Sequence, residues 1–598
     1  MENSAEHVVW DLRDLYEGYR DPEIEKDRSW CIKQADRFAR DYKGRVALLS
    51  PEDILAALAL LETVEEKCQR IVSFAYLTFA TRTQDPHASA FWQAAKELET
   101  MINRKILFFE LEWSKIPDPR IQFLLSPLLV RYTHHLNKMR TYAPYRLSEP
   151  EERILENLSL SGRQAWVNLF DKLMGQMRFG LDGLTIAQVM AGLYQPVQEV
   201  RRNTAMEMTA GLEKILPLTC HIHNALSLDK SLRDDMRSFP HWLRNMNLRN
   251  ELSDDQVDLL VRSVVSRYDI VQQYYSLKRK ILGYSELYDY DRYAPLPGLP
   301  LKKFTWEEAE EKVKAAFESF SPEAARIAAI FFDRNWIHAA SIPGKPGGAF
   351  SHPTVPSCHP YISLHFTGTY RDVMTLAHEL GHGIHQFLYR DRGLYGGRVP
   401  LIMAETASVF SEMVVFESLL KEAESQEAGL AMLCSKLEDL FSTTFRQISL
   451  NRFEEAVHQE RRRSGELSPL RFSELWMSTQ QEMFGKSLIL GEHYGVWWSY
   501  IPHFVHTPGY VYAYAFAELS ALSLIHQYRG RGSSFVPHYL ELLRKGATAS
   551  PQDLLKAVGV DISHPAFYEE GLATVDYMVK EVSSRSGEDC LTEGCPRS

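Results

Sequence analysis

Five consecutive residues, His378-Glu379-Leu380-Gly381-His382, carry the side-chain types from which a hydrolytic metal site is built. Histidines four apart on a helix project from one face about one turn apart, close enough for both imidazoles to bind one ion. The glutamate after the first histidine then points toward a water on that ion. This is the spacing in which two His hold Zn²⁺ and the Glu serves as general base. A pentapeptide is short, so its surroundings decide between a site and a solvated turn. Val373, Met374, Leu376, Ala377, Leu380, Ile384, Phe387 and Leu388 recur at helical spacing and predict a buried helix. Thr369 is the predicted N-cap, Arg371-Asp372 opens the first turn, and Gly393 with Gly396-Gly397 closes the segment. Burying Glu379 between two histidines with no ligand would be costly.

A hydrolytic zinc takes three protein ligands and keeps one position for water. The extended HExxHxxGxxH pattern would need glycine at 385 and histidine at 388; the chain has His385 and Leu388, which excludes it. A carboxylate from a following helix is the alternative. Residues 400–420 read as such a helix, with Pro400 at its start. It is apolar except for Glu405, Ser408, Glu412 and Glu417, and the first three of these share a face. Acids on an apolar helix need partners, which a metal and a histidine N–H supply. Glu405 is therefore the expected third ligand, and Glu412 the carboxylate behind a ligand histidine. His385 lies near the metal face and is expected to back the site rather than to bind the ion.

The elements that must position these groups are mostly helical. Residues 50–77, 88–113 and 253–282 have apolar positions at three- and four-residue spacing, with starts marked by Ser50-Pro51 and Ser253-Asp254-Asp255. No repeat of solenoid length is present. Two stretches break the pattern: the Pro-rich connection Tyr290–Lys303, and Ile342–Thr369. The second holds a Gly347-Gly348-Ala349 turn and then an alternating run, 361–366, read as an edge strand just before the HELGH helix. Such a turn and strand would hold an extended peptide by its backbone, or form a small structural sheet.

At 598 residues the chain is too long for one ordinary core and is expected to form two or more lobes. Its net charge of −11, with no long basic run, argues against nucleic acid or anionic membrane as the main partner. The acidic start lacks the basic and apolar regions of a signal peptide, and no apolar run approaches a membrane span. Seven scattered cysteines fit a reduced, cytoplasmic protein. Cys590 and Cys595, in a polar tail, are expected to be free thiols in a frayed terminus rather than a metal site.

HELGHGIHQ followed by AETASVFSE resembles the oligoendopeptidase F branch of the thimet-oligopeptidase-like zinc endopeptidases. The resemblance covers essentially the whole chain. It includes WDLRDLY near the start, residues 145–166, GGAFSHP and HPYISLHFTGT before the HELGH helix, residues 502–518, and FYEEGLATVD at 567–576. It implies a mainly α, two-lobed helical metallopeptidase with a deep substrate channel and a small β-sheet beside the zinc helix. Residues 1–195 would be an N-terminal helical lobe and 196–598 the catalytic domain. One Zn²⁺ per chain is implied, held by His378, His382 and Glu405, in a monomer or homo-dimer acting on oligopeptides.

The resemblance also gives meaning to His503, His506, Tyr510, Tyr512 and Tyr514, which by themselves read as an aromatic core stripe. In related enzymes a His/Tyr cluster in this region holds the substrate and stabilises the oxyanion. His503 and Tyr514 are the first candidates, then Tyr510; His506 is assigned to substrate binding together with Gly347, Gly348, Ala349, Ser363 and His365. Two residues depart from the family pattern: His338 where an acid is expected, and His365 where an amide is expected. Two rival readings stay open. An aminopeptidase or carboxypeptidase with the same ligands would need a charged subsite for a peptide terminus, which no motif supplies. A non-catalytic peptide-binding protein with a vestigial site is opposed by the intact Glu379.

Overall fold

Cap chemistry starts the helices where the sequence marks them. Ser50 accepts the Asp53 N–H while the Asp53 carboxylate returns to the Ser50 backbone, opening the helix Pro51–Ala80. Ser253 and Gln256 open Asp254–Val265 by the same exchange. The computed structural model describes residues 4–180, 183–296 and 303–588, and these are mainly helical, with one three-stranded sheet. Cys590, Cys595 and the 297–302 part of the Pro-rich connection lie outside the described residues. No described helix is long and apolar enough to cross a membrane.

Apolar periodicity runs further along the chain than single helices do. Residues 88–113 are divided between Pro86–Ile106 and Phe108–Ser114, and 253–282 between Asp254–Val265 and Tyr268–Ile281. The 145–166 stretch breaks at Gly162, between Glu149–Ser161 and Arg163–Gln176. At 107 and 266–267 neither Gly nor Pro marks the break.

The chain packs as two compact units that interleave along the sequence. One comprises Met1–Pro144, Leu301–Glu422 and Leu524–Asp561; the other Tyr145–Pro300, Ala423–Ser523 and Ile562–Ser598. In the first, the N-terminal helices pack on one another, and the helices Tyr370–Tyr389 and Leu401–Lys421 lie side by side. The second is built on the long helix Gln198–Met236, over an aromatic core that includes Phe453, Phe472, Trp476, Trp497 and Trp498.

The sheet belongs to the first unit: β1 (Ile337–His338), β2 (Phe350–His352) and β3 (Tyr361–Ser363), in the order β1-β3-β2. β3 pairs parallel with β1 and antiparallel with β2. The expectation of an edge strand over 361–366 is corrected on both counts: the strand is shorter and central. Alternation reports the faces of a strand but not its lateral neighbours, which come from distant sequence. Beyond the strand, Leu364 and Phe366 still donate to His338 and Ala339 carbonyls. The edge strand that follows the Gly347-Gly348 turn is therefore β2, which is half-buried.

One buried cation closes the crossover from β1 to β2. Lys345 Nζ donates to the carbonyls of His338, Ala340 and Leu364 at 2.9, 3.1 and 2.6 Å, and lies 3.0 Å from His338 Nδ1. Burial lowers its pKa to about 8. Thr83 holds the Gly344 carbonyl, and His365 Nε2 donates to the Pro346 carbonyl at 2.7 Å.

Candidate metal centre and catalytic residues

Thr369 and Asp372 form a reciprocal cap that starts the helix Tyr370–Tyr389, as the sequence indicates. Its apolar residues from Val373 to Ile384 are buried, Phe387 and Leu388 are half-buried, and Glu379 is buried at 6% exposure. Two glycines in the motif permit close packing. A Cβ at Gly381 would stand 2.7 Å from Ser408 Cα and Ser411 Cβ, and one at Gly383 would stand 2.7 Å from Phe331 Cζ. Gly381 thus lets the Leu401–Lys421 helix approach until its carboxylates reach the histidines.

One ligand atom from each of His378, His382 and Glu405 lies within 4.8 Å of the others, and this is the one such cluster among the described residues. His378 Nε2 is 3.4 Å from Glu405 Oε2, and His382 Nε2 is 3.7 Å from Glu405 Oε1. Atoms bound to one tetrahedral zinc at ~2.0–2.1 Å stand about 3.4 Å apart, so the donor set fits that ion. Glu412 Oε2 lies 3.2 Å from His378 Nδ1. An Nδ1–H donated there leaves the Nε2 lone pair facing the cluster. Glu379 Oε2 is buried without a hydrogen-bond partner among the described residues, which calls for a ligand or water beside it.

The electrostatics separate the groups by role. Burial pushes the Glu379 carboxyl up to about 7, against the pull of His378. Burial lowers His382 to about 4, with the neighbouring His378 adding to the effect. For His378 burial opposes charge, yet the hydrogen bonds to Glu405 and Glu412 outweigh it and raise the pKa well above the usual imidazole value. Burial lowers His385 to about 3; its ring stands edge-on to Tyr389, with centroids 5.1 Å apart.

Around β2 the candidate substrate residues differ in access. Gly347 and Gly348 are exposed and Ala349 half-buried, with Gly348 at φ +98°. Ser363 is buried opposite Phe350 in the ladder. His365 is half-buried and engaged by Ser341 and Pro346.

The His/Tyr segment lies in the second unit, where part of it gathers. His503 Nε2 is 3.4 Å from Tyr514 Oη, and the Tyr510 and Tyr514 rings meet edge-to-face at 5.1 Å. Burial, with Arg446 and His506 nearby, lowers the His503 pKa. His506 turns elsewhere: its Nε2 is 2.7 Å from Asp171 Oδ1, and Arg163 donates to its carbonyl. Tyr512 is fully buried and accepts from Asn250 Nδ2.

Glu454, which the sequence reading passes over, holds this segment. Its Oε1 accepts the Gly509 N–H at 2.9 Å, at a residue with φ +80° whose Cβ would meet Leu243 Cδ1 at 2.7 Å. The available signal is an acid in step with Phe453 and Val457 on the buried side of the helix Arg446–Ser464.

The fold is mainly helical, with an HExxH helix packed beside a carboxylate-bearing helix. Residues 192–574 match Peptidase family M3 and residues 112–179 match Oligopeptidase F, so the chain belongs to peptidase family M3, in its oligoendopeptidase F group. Oligopeptidase PepF of Bacillus subtilis is 25% identical, over 96% of this chain and 88% of its own. An oligoendopeptidase F homolog of Lactococcus lactis subsp. lactis is 24% identical over 97% of both chains. Among solved structures, oligoendopeptidase-F from Enterococcus faecium has a TM-score of 0.69 at 20% identity, over 94% of this chain and 98% of that one. PZ peptidase A with inhibitor 2 has a TM-score of 0.76 at 17% identity, over 96% and 100%. These structural likenesses show the fold.

Proposed function

We propose that this peptidase is a zinc-dependent endopeptidase that hydrolyses internal bonds of short to medium oligopeptides. His378, His382 and Glu405 would hold the ion, and Glu412 fixes His378 by accepting its Nδ1–H. When bound, zinc supplies a Lewis acid that acidifies water and polarises a carbonyl. Glu379 takes a proton from the attacking water and delivers it to the leaving amine. His385, kept neutral by burial, backs the metal face.

Tyr514 and His503, with Tyr510 against Tyr514, are assigned as donors to the developing oxyanion. Their clustering within the second unit and the family resemblance support this. The peptide backbone is assigned to Gly347-Gly348-Ala349 and the β2 edge that follows. Ser363 supports that edge from the neighbouring strand, His365 holds the turn through Pro346, and His506 contributes through the segment it anchors to Asp171. The match over 192–574 supports taking 196–598 as the catalytic segment and 1–195 as an accessory helical one. Five described cysteines are free thiols, which supports a cytoplasmic setting.

The observation that carries this reading is the buried, unpartnered Glu379 oxygen beside a donor set of zinc-like spacing. Glu379→Gln should keep its zinc and lose about 10²–10⁴ in kcat, the usual worth of general base catalysis. A variant that cleaves at the wild-type rate overturns the assignment.

A further inference from the structure

The HELGH helix carries one more polar side chain on its metal face. Gln386 lies four residues past His382 and eight past His378, so the three form one stripe. Its amide makes a two-point bond with Ser351 of β2. Ser351 Oγ donates to Gln386 Oε1 at 2.7 Å, and Gln386 Nε2 donates to the Ser351 carbonyl at 3.2 Å. With both ends engaged, the amide ties the strand to the helix about 6 Å along its axis from His382.

The ladder shows which side of β2 is involved. Ile362 donates its N–H to Trp336, on the β1 side, so Tyr361 and Ser363 are the β3 residues whose backbone groups face β2. Ser351 stands opposite Ile362, which makes this the non-hydrogen-bonded pair. The Ser351 carbonyl therefore points off the outer edge of the sheet, the edge along which an added peptide strand would pair. Gln386 already occupies it. Ala349, two residues earlier, directly precedes β2 and follows the exposed Gly347-Gly348 turn.

We infer that Gln386 is a positioning residue: it ends peptide pairing on β2 at Ser351 and thereby sets which substrate bond stands at the metal cluster. The inference rests on the proposed role of the β2 edge as the peptide-binding strand. A merely structural bond between helix and strand would alter stability but not the position of the cut.

The test uses the full-length, zinc-loaded protein and an oligopeptide blocked at both ends, with cleavage sites mapped by mass spectrometry. A set of the same peptide bearing single N-methylated amides reports which backbone N–H groups pair. Gln386→Met keeps the side-chain volume and Gln386→Ala removes it; zinc content is measured for each. Both variants should keep their zinc and shift the cleavage map. Freed of Gln386, the Ser351 carbonyl should pair with substrate, so one further N-methylated position becomes inhibitory by about five- to tenfold in kcat/KM, the scale of one backbone hydrogen bond. An unchanged map and methylation profile in a folded, metallated Gln386→Met overturns the inference. If no N-methylation affects the wild type, the peptide-strand reading of β2 itself falls; if methylation matters but the variants behave as wild type, only the role of Gln386 falls. Should Gln386→Ala unfold, Gln386→Met decides.

Discussion

Which proton His378 holds, and where, governs the site at the residue scale. Donating Nδ1–H to Glu412 would commit Nε2 to the proposed ion, so Glu412→Ala should weaken zinc binding by about 10- to 100-fold, as loss of a carboxylate behind a metal histidine does. Glu405→Ala should lose zinc more completely, because it removes a ligand rather than a ligand's support. A competition titration with a chelator separates the two, and a fully metallated Glu405→Ala would move the third ligand elsewhere. Tyr514→Phe should lower kcat by about 10²-fold with zinc retained, the scale of one oxyanion donor. Much of this arrangement was legible in the sequence. HELGH and the spacing of Glu405 and Glu412 on an apolar helix need only local periodicity to interpret. Gln386 and Glu454 were missed because each acts on a backbone group far away in sequence, Ser351 and Gly509, and no local pattern marks such a bond.

For the elements, the controlling dimension is the distance between the HELGH helix and the Leu401–Lys421 helix. Gly381 sets it, since any Cβ there would lie inside contact distance of Ser408 and Ser411. Gly381→Ala should destabilise by about 1–3 kcal/mol, the usual cost of overpacking, and loosen zinc by moving Glu405 and Glu412 away from the histidines. Thermal melting and zinc content together check this; a variant with unchanged melting and full zinc would show that the helices have slack. Helix starts were well marked by Ser50, Ser253 and Thr369 because capping is local chemistry. Helix breaks at 107 and 266–267 were hidden, since apolar positions stay in step across them. The central place of β3 was hidden for another reason: its partners come from chain segments on either side of the Gly347-Gly348 turn, and alternation within 361–366 carries no record of them.

Buried histidines away from the candidate metal cluster, His223 and His338 among them, make the whole molecule sensitive to acid. Burial lowers His223 to about 4, and burial followed by the charge of Lys345 lowers His338 to about 3, from an ordinary value of 6.5. Above pH 6.5 neither state binds the proton. As the pH falls from 6.5 toward 4, the unfolded chain takes up protons that the folded one refuses, so stability falls. The melting temperature should drop over this window, with a shallower slope in His223→Leu; an identical slope would assign the acid sensitivity to other groups. Two or more lobes were foreseeable from length alone, but their interleaving was not, because packing between distant segments leaves no mark in composition. The zinc-endopeptidase claim is tested most directly by restoring zinc stepwise to metal-stripped protein while following an oligopeptide blocked at both ends. Internal cleavage should rise to a plateau at about one zinc per chain, the stoichiometry of one His₂Glu site. Undiminished cleavage by the stripped protein, or a plateau with no internal cut, would contradict it.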